Sequence, residues 1–223
     1  MKKPALDARL RAAAAYVRQD AVFADVGTDH AYLPLFLLSE GRIARAVCSD
    51  INEGPLQSAV RNSEKFGVRD KISFYLSDGV RNIPRDFDTL VCAGMGGDTM
   101  VSILSAAPWL QNQQYRLILQ CQSKTPLLRK YLSDKGWAIA TEKVLKDGKF
   151  LYTIMEILWQ PDAPRLTPAQ CYLSPVLVDS EDADAYRKWV IEGLRISTIH
   201  TDDAEKKQIL QELEIATSLR SSQ

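Results

Sequence analysis

Histidine is nearly absent from this chain: 223 residues contain two, His30 and His200, which excludes a multi-histidine metal centre. Cysteine is scarce and irregularly spaced. Cys48, Cys92, Cys121 and Cys171 form no CxxC pair, and the first three lie inside apolar runs, so all four read as reduced core residues. No apolar run approaches the roughly 20 residues that a membrane-spanning helix needs. Asp7, Arg9 and Arg11 interrupt what would be the apolar centre of an N-terminal signal. The protein is therefore expected to be soluble and cytoplasmic, with no membrane partner and no metal. Neither sign of charge dominates, with 28 Lys+Arg against 28 Asp+Glu. Residues 1–160 have a slight basic excess and residues 161–223 an equal acidic one, which leaves a polyanionic partner undecided.

What is present suffices for a buried core, since 46% of the residues are hydrophobic and 25% charged. After a helix around Leu6 to Val17, short β-rich runs alternate with helical stretches. "VFADVG", "RAVCSDI", "ISFYLSD", "DTLVCAG" and "RLILQC" are the strands, apolar on both faces as a parallel sheet between helices requires. "WAIATEKVL" and "FLYTIMEILW" follow on either side of "KDGK", a hairpin signature that makes the last pair antiparallel. The fold class is thus α/β, a Rossmann-like, mostly parallel seven-stranded sheet. Pro161, Pro164 and Pro168 crowd one segment and place a boundary between a ligand-binding domain, residues 1–160, and a tail, residues 161–223. In the tail, Tyr186, Trp189, Val190, Ile196 and Ile199 recur at helical spacing, as do Leu210, Leu213, Ala216 and Leu219. Asp202 with Glu205 offers an N-cap between the two sets. The tail reads as a helical hairpin whose stripes pack on each other or on the body.

Open parallel sheets bind ligands beyond the carboxyl ends of their strands, and four such ends are unusual here. "DVGTDHA" supplies Asp25, Gly27, Thr28, Asp29 and His30; "SDIN" supplies Asp50 and Ile51; "SDG" supplies Asp78 and Gly79; "AGMGG" supplies Ala93, Gly94, Met95 and Gly96. Asp50 is placed to accept from a ribose diol and Asp78 from an exocyclic amine, which together suit an adenosine. The first loop has Asp29 and Ala31 where a dinucleotide loop has glycines. A carboxylate there repels pyrophosphate but tolerates the cation of S-adenosyl-L-methionine (SAM), the cofactor these residues favour.

"DVGTDHAYLP", "GPLQSA", "SDG", "AGMGG" and "RLILQ", in that order and followed by a strand hairpin and a helical tail, resemble the bacterial tRNA adenine-N1 methyltransferases that modify position 22. The resemblance runs from about Leu6 to Trp159 and more loosely through the tail. It implies a SAM-dependent methyltransferase acting on tRNA, with a coiled-coil-like tail that assists RNA binding. One departure stands out: Gln120 is followed by Cys121 and Gln122, where the family has proline and asparagine.

Methylation of adenine N1 needs no base, because that nitrogen carries a free lone pair. It does need an unpaired nucleotide and gains from a carboxylate beside the cation that forms. Asp29 is the candidate for that carboxylate, with cofactor orientation or helix capping as its alternatives. Tyr32 stacks on the base or belongs to the core, and His30 is structural or catalytic. Arg9, Arg11 and Gln120 are candidates for substrate contact, and Arg187, Lys188, Arg195, Lys206 and Lys207 for a basic stripe on the tail. A monomer is the favoured oligomeric reading. Methylation of another RNA base or a small molecule, a nicotinamide-dependent dehydrogenase, and a non-catalytic RNA-binding module remain as alternatives.

Overall fold

A computed structural model describes residues 3–199 and 203–220. Asp7 accepts from the Leu10 N–H at 2.8 Å and so caps helix α1 (Ala8–Tyr16), whose Ala13 and Ala14 are buried. Strands β1 (Phe23–Val26) and β2 (Ala46–Asp50) are buried at every position, as their unbroken apolar runs require. Helices α2 (Tyr32–Ser39) and α3 (Glu53–Lys65) follow them. β3 (Ile72–Leu76) and β4 (Thr89–Gly96) come next, then α4 (Gly97–Ser105), β5 (Arg116–Ser123) and α5 (Thr125–Asp134). The hairpin β6 (Trp137–Asp147) and β7 (Phe150–Trp159) turns at Gly148, which takes φ +61°.

The seven strands lie in the order β3-β2-β1-β4-β5-β7-β6. The first five pair in parallel, and β7 runs antiparallel to both β5 and β6. From β1 the chain winds outward to β3, crosses back to β4 and winds the other way. The reversal falls between β1 and β4, which fixes where a ligand crevice opens. Alternation along the strands feeds two cores. Leu117 and Leu119 face α4 and α5 with Met100, Leu128 and Leu132, whereas Ile118 and Ile154 face α1 and α2 with Leu33, Leu35 and Leu37.

Beyond the proline-rich segment the chain forms α6 (Pro168–Tyr172), α7 (Glu181–Ile199) and α8 (Ala204–Arg220). The short α6 escapes a reading by periodicity because it is too brief for one. A capping box between Thr167 and Gln170 sets it. Of the α7 stripe, Tyr186 and Val190 are buried, while Trp189, Ile196 and Ile199 are exposed. On α8 the buried pair is Ile209 and Leu213, with Ala216 and Leu219 exposed. The sequence stripe on α8 was therefore one residue out of phase at its start and ran past the contact. Asp202 lies outside the described residues; Asp203 accepts from the Lys206 N–H at 3.0 Å ahead of α8.

A buried ion pair within the body anchors the tail. Arg129 of α5 and Glu142 of β6 are both 0% exposed and meet at 2.6 Å. Arg129 Nη1 also donates to the carbonyls of Cys171 (2.9 Å) and Tyr172 (2.7 Å) in α6. Glu142 accepts the Val178 N–H at 2.9 Å through its own carbonyl, and Val144 of β6 joins the apolar cluster of the tail. Burial disfavours the guanidinium charge, but the attraction of Glu142 outweighs it and shifts the Arg129 pKa upward. None of the helices described is long and apolar enough to cross a membrane.

Candidate active site

The loop after β1 keeps the backbone of a triple-glycine turn with only the first of its glycines. Gly27, Asp29 and Ala31 take φ of +71°, +49° and +58°. Only glycine enters that region at little cost; each L-residue held there stores about 1–3 kcal/mol. A Cβ on Gly27 would also displace the Met95 methyl. The loop is pinned by hydrogen bonds from the Gly27 and Thr28 N–H groups to the Ser49 carbonyl (2.9 and 3.0 Å) and from the Asp29 N–H to Asp50 Oδ2 (3.2 Å). Strain imposed at two positions and held by the neighbouring strand marks a loop shaped for a ligand.

This loop forms one wall of a cavity of about 380 Å³. Asp25, Gly27, Thr28, Asp29, His30 and Tyr32 line that side; Ala93 and Gly94 come from the end of β4, Gln120 from β5, and Asp7, Arg9 and Leu10 from the start of α1. The cavity thus opens at the β1/β4 switch point. At its floor Asp25 is 5% exposed and accepts from the Thr28 hydroxyl at 2.7 Å. Burial pushes its carboxyl up to about 6, a rise that the Thr28 hydrogen bond opposes and the Asp50 charge reinforces. A buried carboxylate held this way among apolar strands is an uncompensated negative site. Cys92 nearby is buried, and burial, then Asp25, push its thiol up to about 12.

The mouth is aromatic and charged. Tyr32 is 40% exposed, so it does not belong to the core. Its ring lies 5.6 Å from that of His30, whose Nε2 is 3.6 Å from Asp29 Oδ1. His30 is set by its backbone, with its carbonyl accepting from Asn62 Nδ2 at 3.0 Å. The Asp29 side chain is 67% exposed; the residue capping α2 is Ala31, so Asp29 is not the helix cap. Arg9 reaches the cavity between Asp7 (2.8 Å) and Asp147 of the hairpin turn (3.4 Å).

Other sequence candidates fall elsewhere. Asp50 lies outside the cavity wall at the end of β2, with Oδ1 accepting from the Asn52 N–H at 2.9 Å and Oδ2 from Asp29. Ile51, 63% exposed, stands beside it. Asp78 follows β3, half-exposed and 3.4 Å from Arg81. Because β3, β2, β1 and β4 are neighbours, Asp78, Asp50, Gly27 and Gly94 follow one sheet edge across roughly 14 Å, at about 4.8 Å per strand. That length suits an extended nucleoside with its head group in the cavity. Gly79 packs against Ile103, and Met95 is partly buried against the core. A Cβ on Gly97 would lie 2.5 Å from the Lys124 backbone carbonyl, so α4 packs closely there, and one on Gly96 would lie 2.8 Å from Asp98 Oδ1. Of the glycine cluster, only Gly94 faces the cavity. Arg11 turns away and donates to the Leu6 carbonyl at 3.2 Å.

Gln120 is fully buried and accepts from the Gly94 N–H at 2.9 Å, so it shapes the β4 loop. Gln122, at the family departure, lies against Arg9 and Gly94, and with its amide turned so that both groups are satisfied it accepts from Arg9 Nη1 and donates to the Gly94 carbonyl. It therefore takes up a place in the same wall. The tail offers less than its sequence suggested. Arg187 is 7% exposed and bound to Asp179 (2.5 Å) and Asp184 (2.8 Å); Arg195 holds Glu192 and Glu214; Lys206 lies 3.3 Å from Asp203. Arg187, Arg195 and Lys206 thus pair with carboxylates within the tail, while Lys188 and Lys207 lie on its exposed surface.

A doubly wound sheet with an acidic, nucleoside-length edge and a cavity at the switch point defines a Rossmann-like methyltransferase. Residues 6–155 match the family described as "Methyltransferase domain". The chain is 31% identical over 224 residues to the tRNA (adenine(22)-N(1))-methyltransferase of Bacillus subtilis (strain 168), covering 96% of this chain and 94% of that one. It belongs to that family of tRNA methyltransferases. Among solved structures, Streptococcus pneumoniae Sp1610 in complex with S-adenosyl-L-methionine superposes with a TM-score of 0.81 at 30% identity, covering 94% of this chain and 99% of that one. The B. subtilis M1A22 tRNA methyltransferase TrmK gives 0.78 at 26% identity, with 98% of each chain covered.

Proposed function

We propose that the cavity between Asp25 and Gly94 is where this chain, a SAM-dependent tRNA methyltransferase, brings the methyl group of its cofactor to N1 of adenine 22, with the demethylated thioether as the leaving group. The observation that carries the reading is the strained Asp29 loop set over the buried, uncompensated Asp25. That arrangement suits a cationic nucleoside and not a pyrophosphate. Asp50 would hold the ribose hydroxyls, since each carboxylate oxygen retains a lone pair beyond its backbone partner. Ile51 and Asp78 would flank the base, and Asp25, Thr28 and Gly94 the amino-acid end. When bound, SAM supplies an electrophilic methyl group on a sulfonium.

The chain has little acid–base work to do. Adenine N1 attacks through its own lone pair, so the residues contribute by alignment and by charge. Tyr32 and His30 form a ring surface at the mouth on which an extruded base stacks. Asp29 stands beside them, exposed enough to meet the base and negative enough to oppose the positive charge that grows on it. Arg9, fixed between Asp7 and Asp147, receives a phosphate at the rim. The proline-rich segment separates the cofactor-binding unit, residues 1–160, from the tail, and the enzyme works in the cytoplasm as a monomer.

Unmodified bacterial tRNA incubated with methyl-labelled SAM is expected to take up label, whereas free adenosine and other small nucleosides take up none. Label on the nucleosides, with none on tRNA, would move the function to small-molecule methylation.

A further inference from the structure

A second cavity, of about 350 Å³, lies between the end of the sheet and the tail. Gln122 lines it and also touches Arg9 and Gly94 of the first cavity, so the two share a partition. Its wall includes Cys121 and Thr153, register partners on β5 and β7. Thr153 is 1% exposed, and its hydroxyl has no hydrogen-bond partner among the described residues. An unmet buried hydroxyl is costly and points to a ligand that completes it. Opposite, Trp189 is stacked on Tyr186 with centroids 5.8 Å apart at 30°, and it is 64% exposed. Gly193, one turn on, leaves open space where a side chain would stand. At the rim α5 begins with the N–H groups of Thr125 and Leu127, preceded by Lys124, whose side chain is 61% exposed and pairs with Asp98 at 2.9 Å.

We infer that this cavity is a second nucleotide subsite, which takes an unpaired base of the same tRNA while the target adenine occupies the first. The inference rests on the tRNA reading above. A flat aromatic ligand stacks on Trp189, its polar edge meets Thr153 Oγ1, and its phosphate meets Lys124 and the start of α5. A purely apolar ligand would leave the Thr153 hydroxyl unmet and gain nothing from the lysine. The subsite also gives the tail a role in RNA binding that its engaged arginines do not.

The test is titration of the full-length protein with unmodified tRNA, read by tryptophan fluorescence and by filter retention, alongside calorimetry with SAM. Saturable quenching is expected in the parent and its loss in Trp189→Phe. Gly193→Phe, which fills the cavity and keeps Trp189, is expected to raise KM for tRNA tenfold or more, with kcat and SAM affinity unchanged. Parental KM in Gly193→Phe overturns the subsite. So does quenching that persists unaltered in that variant, since Trp189 would then meet RNA outside the cavity. The two readings fail separately. Quenching without methyl transfer upholds the subsite and removes the reaction, and methyl transfer with parental KM in Gly193→Phe does the opposite.

Discussion

The backbone N–H of Asp29 donates to the carboxylate of Asp50 at 3.2 Å, tying the loop after the first strand to the end of the second. That bond holds Asp29 at φ +49°, where a glycine would sit without strain. A residue kept there against its backbone preference contributes through its side chain. Asp29→Gly is therefore expected to raise stability by about 1 kcal/mol and to lower the single-turnover methylation rate at saturating SAM and tRNA. Asp29→Asn is expected to lower that rate far more than SAM affinity. Near-parental turnover in both variants would leave transfer to alignment alone.

Asp50 has two tasks, as acceptor for the two loop N–H groups and as proposed anchor of the ribose. Asp50→Ala is expected to weaken SAM binding about tenfold or more, the loss of one or two charge-assisted hydrogen bonds. It should also lower the thermal midpoint, because the Asp29 and Asn52 N–H groups lose their partner. Unchanged SAM affinity by calorimetry would place the ribose elsewhere.

Asp25 links the cofactor cavity to pH. Its folded pKa of about 6 exceeds the ordinary 3.8, so the folded protein holds a proton that the unfolded chain releases. Stability therefore falls as pH rises from about 4 to 6 and stays lost above that, a term on the order of 3 kcal/mol. Asp25→Asn is expected to melt higher than the parent at pH 7.5 and to show no gain at pH 4. It should also bind SAM more weakly at pH 7.5, where the parent carboxylate is ionised. A parallel pair of melting curves across that range would contradict the burial of this charge.

The Arg129–Glu142 pair governs tail docking. Removal of one partner from a buried pair costs about 3–5 kcal/mol, so Glu142→Gln is expected to lower stability by an amount near that range. Truncation after Gln160 deprives Arg129 of the Cys171 and Tyr172 carbonyls and uncovers Val144. The shortened chain is expected to melt lower than the parent even where SAM still binds. Equal thermal midpoints would make the tail a separable appendage.

The sheet was legible in the sequence because each strand is a short apolar run ended by a turn signal, and the Asp-Gly turn reveals the hairpin. The acids at the strand ends were legible for the same reason, since the strands say where their ends fall. What escaped depends on packing at a distance. Nothing local tells that Gly97 lets α4 approach the Lys124 backbone, or that Arg11 turns back while Arg9 reaches the cavity. Tyr32 lies in an apolar helix and reads as core, yet the sharp entry at Ala31 brings it to the surface. Exposed Trp189 and buried Arg187 run against composition, because packing on β6 and α8 decides which face of α7 is covered.

The most direct measurement is primer extension on an unmodified tRNA transcript after incubation with the protein and SAM, since a methyl group at N1 blocks the Watson–Crick edge. The account predicts one new stop at adenine 22, no stop in a transcript with guanine at that position, and none without SAM. A stop at another nucleotide, or equal extension with and without the protein, would contradict it.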